Sequence, residues 1–164
     1  MAKKEYFCIV DTETTINDKV YDFAAVVCDR NGNIVSKCAV IVSDSAEFEL
    51  FYDNNNAEWS KQNATKKKAD YFKMIESGSR IVASVSAINR WLDKVIGKYN
   101  PILTAYNIAF DSGKCRNTQV DLSGFKNRFC LWHTAVNMFA NSRNYRAFAL
   151  DNHYFGNRTD KGNM

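Results

Sequence analysis

Tyr6-Phe7-Cys8-Ile9-Val10-Asp11-Thr12-Glu13-Thr14-Thr15 begins as an unbroken apolar run and turns polar at Asp11. The apolar half reads as a buried strand, and the turn to threonines and carboxylates marks its exposed end. Side chains at i and i+2 of a strand leave the same face, so Asp11 and Glu13 project together. Two carboxylates converging at a strand end suit a hard cation such as Mg2+ better than they suit a core. The competing reading is an ordinary polar strand terminus, and a second site is needed to decide between them.

Asn107-Ile108-Ala109-Phe110-Asp111 supplies that second site. It follows Pro101-Ile102-Leu103-Thr104-Ala105-Tyr106, a short apolar run behind a proline that reads as another buried strand. Asp111 then opens a polar stretch, Ser112-Gly113-Lys114, where an acidic residue by itself would serve as a helix cap. Beside Asp11 and Glu13 it becomes a third carboxylate at the end of a neighbouring strand. Tyr106 and Phe110 flank this motif and read first as core residues.

The two motifs in this order resemble those of the DEDD 3'-5' exonuclease superfamily, the proofreading type. Ile9 to Thr15 looks like its first motif and Asn107 to Asp111 like its second, and the likeness extends over roughly residues 5 to 150. The resemblance implies an α/β, RNase H-like fold, a mixed central sheet of about five strands with flanking helices. It implies catalytic and metal-ligating roles for Asp11, Glu13 and Asp111, with two Mg2+ or Mn2+ ions as cofactors. Thr14, Asn107 and Phe110 become the substrate-binding candidates, and the 3' end of a single-stranded DNA or RNA the expected partner. Asp11 would bridge both ions, Glu13 would hold the nucleophile-side ion and Asp111 the other.

The chain also departs from the family. Its third motif places a late Asp five residues after His or four after Tyr. Here the late aspartates are Asp121, Asp151 and Asp160; Arg116, Arg146 and Phe155 stand five before them, and Asn117, Ala147 and Gly156 four before. The expectation is a single domain over 1–164 that lacks the family's C-terminal helix. Loss of a ligand together with a general base, worth about 10^2–10^4-fold, is expected to leave the chain impaired. A second chain or a polymerase is then the expected source of the missing elements. The alternative is a nuclease-derived, inactive module that binds nucleic acid or regulates.

Composition fits one globular domain: 164 residues, 46% hydrophobic, with a mild formal net charge of +4 that permits nucleic-acid binding without requiring it. Ala2-Lys3-Lys4-Glu5 leads straight into the first strand, and no apolar segment approaches the ~20 residues that span a bilayer, so a cytoplasmic location and no membrane partner are expected. Five cysteines without a Cys-x-x-Cys pair, three of them (Cys8, Cys28, Cys38) in strand-like runs, read as reduced thiols. With two distant histidines, zinc chemistry is not expected.

The remaining pattern predicts strands over about 5–12, 20–29 and 33–43 in an antiparallel meander, with Asn31-Gly32-Asn33 as a hairpin turn. One or two helices are expected between Ala46 and Ser79. The basic run from Lys61 to Lys73, with Lys66-Lys67-Lys68 between Trp59 and Tyr71-Phe72, reads either as a solvated helix or as a single-strand contact. Val85, Ile88, Leu92, Val95, Ile96 and Tyr99 recur at helical spacing and predict a core-facing helix over 84–99. A strand over 102–106, a helix from about 109, a strand over 128–132 and a helix over 133–142 complete the reading, the last with Ala135, Val136, Phe139 and Ala140 inward.

Overall fold

The computed structural model describes residues 4–15, 17–45 and 58–140. Six strands run as β1 (Tyr6–Thr14), β2 (Val20–Asp29), β3 (Ile34–Val42), β4 (Ile81–Ala83), β5 (Ile102–Ala105) and β6 (Arg128–Cys130). Four helices join them: α1 (Glu58–Glu76), α2 (Val85–Tyr99), α3 (Ile108–Thr118) and α4 (Leu131–Ala140). The sheet order is β4-β3-β2-β1-β5-β6. The first three strands form the expected antiparallel meander, whereas β4, β5 and β6 each join in parallel. The protein is therefore α/β with a mixed six-stranded sheet, one strand more than the sequence pattern predicts. The expectations for 46–57 and for the tail beyond Ala140 lie outside the described residues, as do those for the side chains of Trp59, Val136, Phe139 and Ala140.

Strand alternation divides β1 cleanly. Cys8, Val10, Thr12 and Thr14 are buried on one face, while Ile9 and Asp11 are exposed on the other. The buried face meets α2 and α3 in one core containing Cys8, Val10, Phe23, Val27, Ile88, Leu92, Val95, Leu103 and Cys115. Three of the six residues in the expected α2 stripe are fully buried, and Val85, Ile96 and Tyr99 pack at its margin. Burial of one such Leu or Ile side chain stabilises by about 1.5–3 kcal/mol, which makes this layer the main source of stability.

Each helix start and stop has a local cause. Ser84 caps α2 by accepting from the Ala87 amide at 3.3 Å, and Asp44 accepts from the Val85 amide at 2.9 Å. The helix ends at Asn100, in the left-handed region with φ 43°, immediately before Pro101. At the hairpin between β2 and β3, Gly32 takes φ 81° while the Asp29 carboxylate accepts from the Asn31 and Asn33 amides at 2.9 and 3.0 Å. Thr118 fastens α3 to the sheet: its hydroxyl donates to the Lys114 carbonyl at 2.8 Å and accepts from the Val20 amide at 2.7 Å.

On the opposite face of the sheet, α1 contributes Tyr71, which packs against Ile41 of β3 with Tyr21 beside it. The basic run on this helix divides as follows: Tyr71 enters the core, Phe72 stays 68% exposed, and Lys66 and Lys68 face solvent. All five cysteines are unpaired thiols. Among the described residues no helix is long and apolar enough to cross a membrane.

Candidate active site

The strand order reverses between β1 and β5: from β1 the chain builds outward through β2, β3 and β4, then returns to place β5 on the other side. Ligand sites in open α/β sheets sit beyond the carboxyl ends of the strands at such a point. Asp11 and Glu13 lie at the carboxyl end of β1, and two residues separate the end of the parallel β5 from the start of α3. The crevice is therefore bounded by the two sequence motifs.

Asp111 is 6% exposed, and its Oδ1 accepts the Thr12 hydroxyl at 2.9 Å. Thr12 points to the face opposite Asp11, so Asp111 approaches the end of β1 from the α3 side. Burial raises the Asp111 carboxyl to about 6, the Thr12 hydroxyl opposes the shift, and the Asp11 charge adds to it. Two carboxylates that repel each other at a crevice, one of them desolvated, form an environment that a cation would relieve. Asp111 is not the helix cap. Asn107 occupies that position, with no side-chain cap hydrogen bond, and Asp111 sits in the first turn, where the helix dipole favours a negative charge.

Glu13 keeps different company. It stands directly opposite Asp22 of β2, and its charge is felt by Asp22 and by Tyr71. Asp22 is 6% exposed; Arg80 Nε donates to its two oxygens at 3.0 and 3.2 Å, and the Tyr71 hydroxyl also donates to it. Burial raises the Asp22 carboxyl while the Arg80 guanidinium opposes the rise. Burial, then the Asp22 charge, holds the Tyr71 hydroxyl well above its ordinary range. Among the described residues no three His, Cys, Asp or Glu side chains gather closely enough to hold a metal. The Asp11 charge is felt at Asp111, and Glu13 stands opposite Asp22. Hard oxygen donors in the first pair fit one Mg2+ or Mn2+, which needs only one or two carboxylates besides substrate and water.

The substrate-binding candidates differ in exposure. Phe110 is 39% exposed and carries the Lys114 ammonium 4.9 Å from its ring centroid, and Lys114 also pairs with Asp18. Tyr106 is 41% exposed. Both aromatic rings therefore correct the expectation of core positions, because the start of α3 projects past the sheet. Asn107 is half-buried, and Thr14 is buried beside the β1–β2 turn, where Thr15 accepts from the Lys19 amide at 3.2 Å. An exposed ring with a cation above it can stack a base and meet a phosphate.

Asp22, Arg80 and Thr12 escaped the sequence reading as site residues, and Tyr71 entered it only beside the basic run. Asp22 is found only if the β1–β2 register is known, and that register shifts between Glu13 and Thr14. Thr12 carried a usable signal: a hydroxyl on the inward face of a strand end needs a partner. Compared with known proteins, the chain matches no family model and no curated protein.

Proposed function

We propose that this protein is a metal-dependent 3'-5' exonuclease of the DEDD type, acting on single-stranded DNA or RNA ends in a cytoplasmic, reducing setting. The observation that carries the proposal is the hydrogen bond from the Thr12 hydroxyl to the buried Asp111 carboxylate, which ties the second motif to the end of β1 between Asp11 and Glu13, at the point where the strand order reverses. The antiparallel meander followed by parallel strands is compatible with an RNase H-like fold and supports the same reading.

Asp11 and Asp111 would hold the cation, and Glu13 would face the same crevice from the outer face of β1. A divalent ion bound there supplies Lewis acidity toward a phosphoryl oxygen and lowers the pKa of its water. The chain's own residues have separable tasks. Thr12 orients the Asp111 carboxylate through its hydroxyl. Phe110 offers a face for the terminal base, Lys114 above it meets a phosphate, and Asn107 presents an amide not used in capping. The general base and fourth carboxylate of the family would come from a second polypeptide, such as a polymerase.

One observation favours a second reading. The absence of a three-carboxylate cluster among the described residues is what a nuclease-derived binding or regulatory module would show. Incubation of 3'- and 5'-end-labelled single-stranded oligonucleotides with Mg2+ or Mn2+ separates the two. A 3'-to-5' ladder that Asp11→Asn abolishes is the expected result. Retention of the oligonucleotide without cleavage, with or without a polymerase partner, would replace the enzyme by the binding module.

A further inference from the structure

The basic run on α1 has two readings, and they place its aromatic rings differently. A merely solvated helix sends its rings inward to the sheet; a helix that meets a single strand keeps one outside. Tyr71 goes inward, against Ile41 of β3. Phe72 is 68% exposed, the largest value for any large apolar side chain among the described residues. A lone exposed ring needs no explanation, but Phe72 is not alone. Lys68 stands one turn before it and Ile75 one turn after, both exposed and both at the spacings that make helix neighbours. Lys73 follows directly, with the Asp70 carboxylate 3.8 Å from its ammonium, too loose an exposed pair to withhold it from a phosphate.

The helix is also fastened on the face of the sheet that a strand would cross. Glu13, Asp22 and Ile41 form one row across β1, β2 and β3, on the face from which Asp11 emerges. The Tyr71 hydroxyl donates to Asp22 and its ring packs on Ile41, so α1 lies over that face. Arg80, in the turn after the helix, pins it to Asp22 at 3.0 and 3.2 Å. Phe72 is therefore presented from a fixed support, one residue past the anchor. A ring with ammonium groups beside it matches what a single strand offers, base faces and phosphates at short intervals. A membrane surface would call for a broad apolar face, and the inward face of α1 is already against the sheet.

We propose that Lys68, Phe72 and Lys73 on the outer flank of α1 form a second contact for single-stranded nucleic acid, Phe72 stacking a base and the lysines meeting phosphates. The inference deepens the nucleic-acid reading above and rests on it. It involves neither a cation nor turnover.

Fluorescence anisotropy of a labelled single strand of about 16 nucleotides, titrated with the full chain in EDTA, tests this. Phe72→Ala should weaken binding about 5–150-fold, the effect of removing one stacked ring. Phe72→Leu, apolar but without a ring, should lose as much. Phe72→Trp should keep wild-type affinity and add quenching of its fluorescence by the strand beyond that of the wild type. Lys68→Gln together with Lys73→Gln should lower the slope of log K against log salt by about 1.4. All three side chains lie on the surface, and thermal melts check that each variant folds as the wild type does. Wild-type affinity in Phe72→Ala, or full affinity in Phe72→Leu, would overturn the inference and leave the crevice reading standing. So would a wild-type dimer in sedimentation that Phe72→Ala disperses while strand binding holds, since the flank would then join two copies. A wild-type chain that binds no single strand would overturn the nucleic-acid reading itself, and this inference with it.

Discussion

Asp111→Asn should make the protein more stable at the expense of its cation site. The Asp111 carboxyl titrates near 6 in the folded protein, against about 3.9 in an unfolded chain. Below pH 4 the group is protonated in both states and contributes no difference. As pH rises from 4 through 6 the unfolded chain ionises first, so stability falls across that window and stays lower above it. The full penalty at pH 8 is about 3 kcal/mol. Asparagine removes the charge and keeps an oxygen for the Thr12 hydroxyl, but it loses acceptance from the amides of Thr12 and Asp111, worth about 1 kcal/mol. The expected net gain is about 1–3 kcal/mol at pH 8, roughly 2–12 °C in Tm for a chain of this size, fading toward zero at pH 4. Urea unfolding of both proteins at the two pH values, in EDTA, measures it. Mn2+ at 1,000 times its Kd should reverse the order, since it stabilises the wild type by about 4.1 kcal/mol and the variant has lost a ligand. A variant less stable than wild type at pH 8 in EDTA, or a difference independent of pH, would refute the reasoning.

Three further outcomes follow from the packing. Thr118→Val removes the acceptor of the buried Val20 amide and should cost about 1–3 kcal/mol in urea unfolding, with no change in the pH dependence that Asp111 imposes. Leu92→Ala, at a fully buried position between α2 and the sheet, should cost about 2–5 kcal/mol by the same assay. Burial pushes the Cys8 and Cys115 thiols up to about 12, so a thiol reagent at pH 8 should leave both unmodified until urea unfolds the chain. Mass spectrometry showing either labelled in the native protein would contradict the core described here.

Much of the scaffold was legible because its signals are periodic. The Asp11–Glu13 alternation, the Ile88–Leu92–Val95 stripe and the Asn31-Gly32-Asn33 turn each carry their geometry in local spacing, and each is found where the pattern puts it. β4 was missed because Ile81–Ala83 is too short for an alternation to register, and it earns its place only by pairing in parallel with β3 after α1. Phe110 and Tyr106 looked like core because apolar residues beside a buried strand usually are; their exposure depends on how far α3 starts beyond the sheet, which no local pattern encodes. The partners of Glu13 and Asp111 have the same origin. Strand alternation says that Asp11 and Glu13 share a face, but it does not say that Thr12 receives Asp111 from the other side or that Asp22 stands opposite Glu13.

Anomalous scattering from crystals grown with Mn2+ and a short single-stranded oligonucleotide addresses the central claim most directly. An anomalous peak is expected between the carboxylates of Asp11 and Asp111, within direct ligation distance of their oxygens, with the 3' end of the strand beside Phe110. Mn2+ bound elsewhere, or a strand bound with no ion at Asp11 and Asp111, would contradict it.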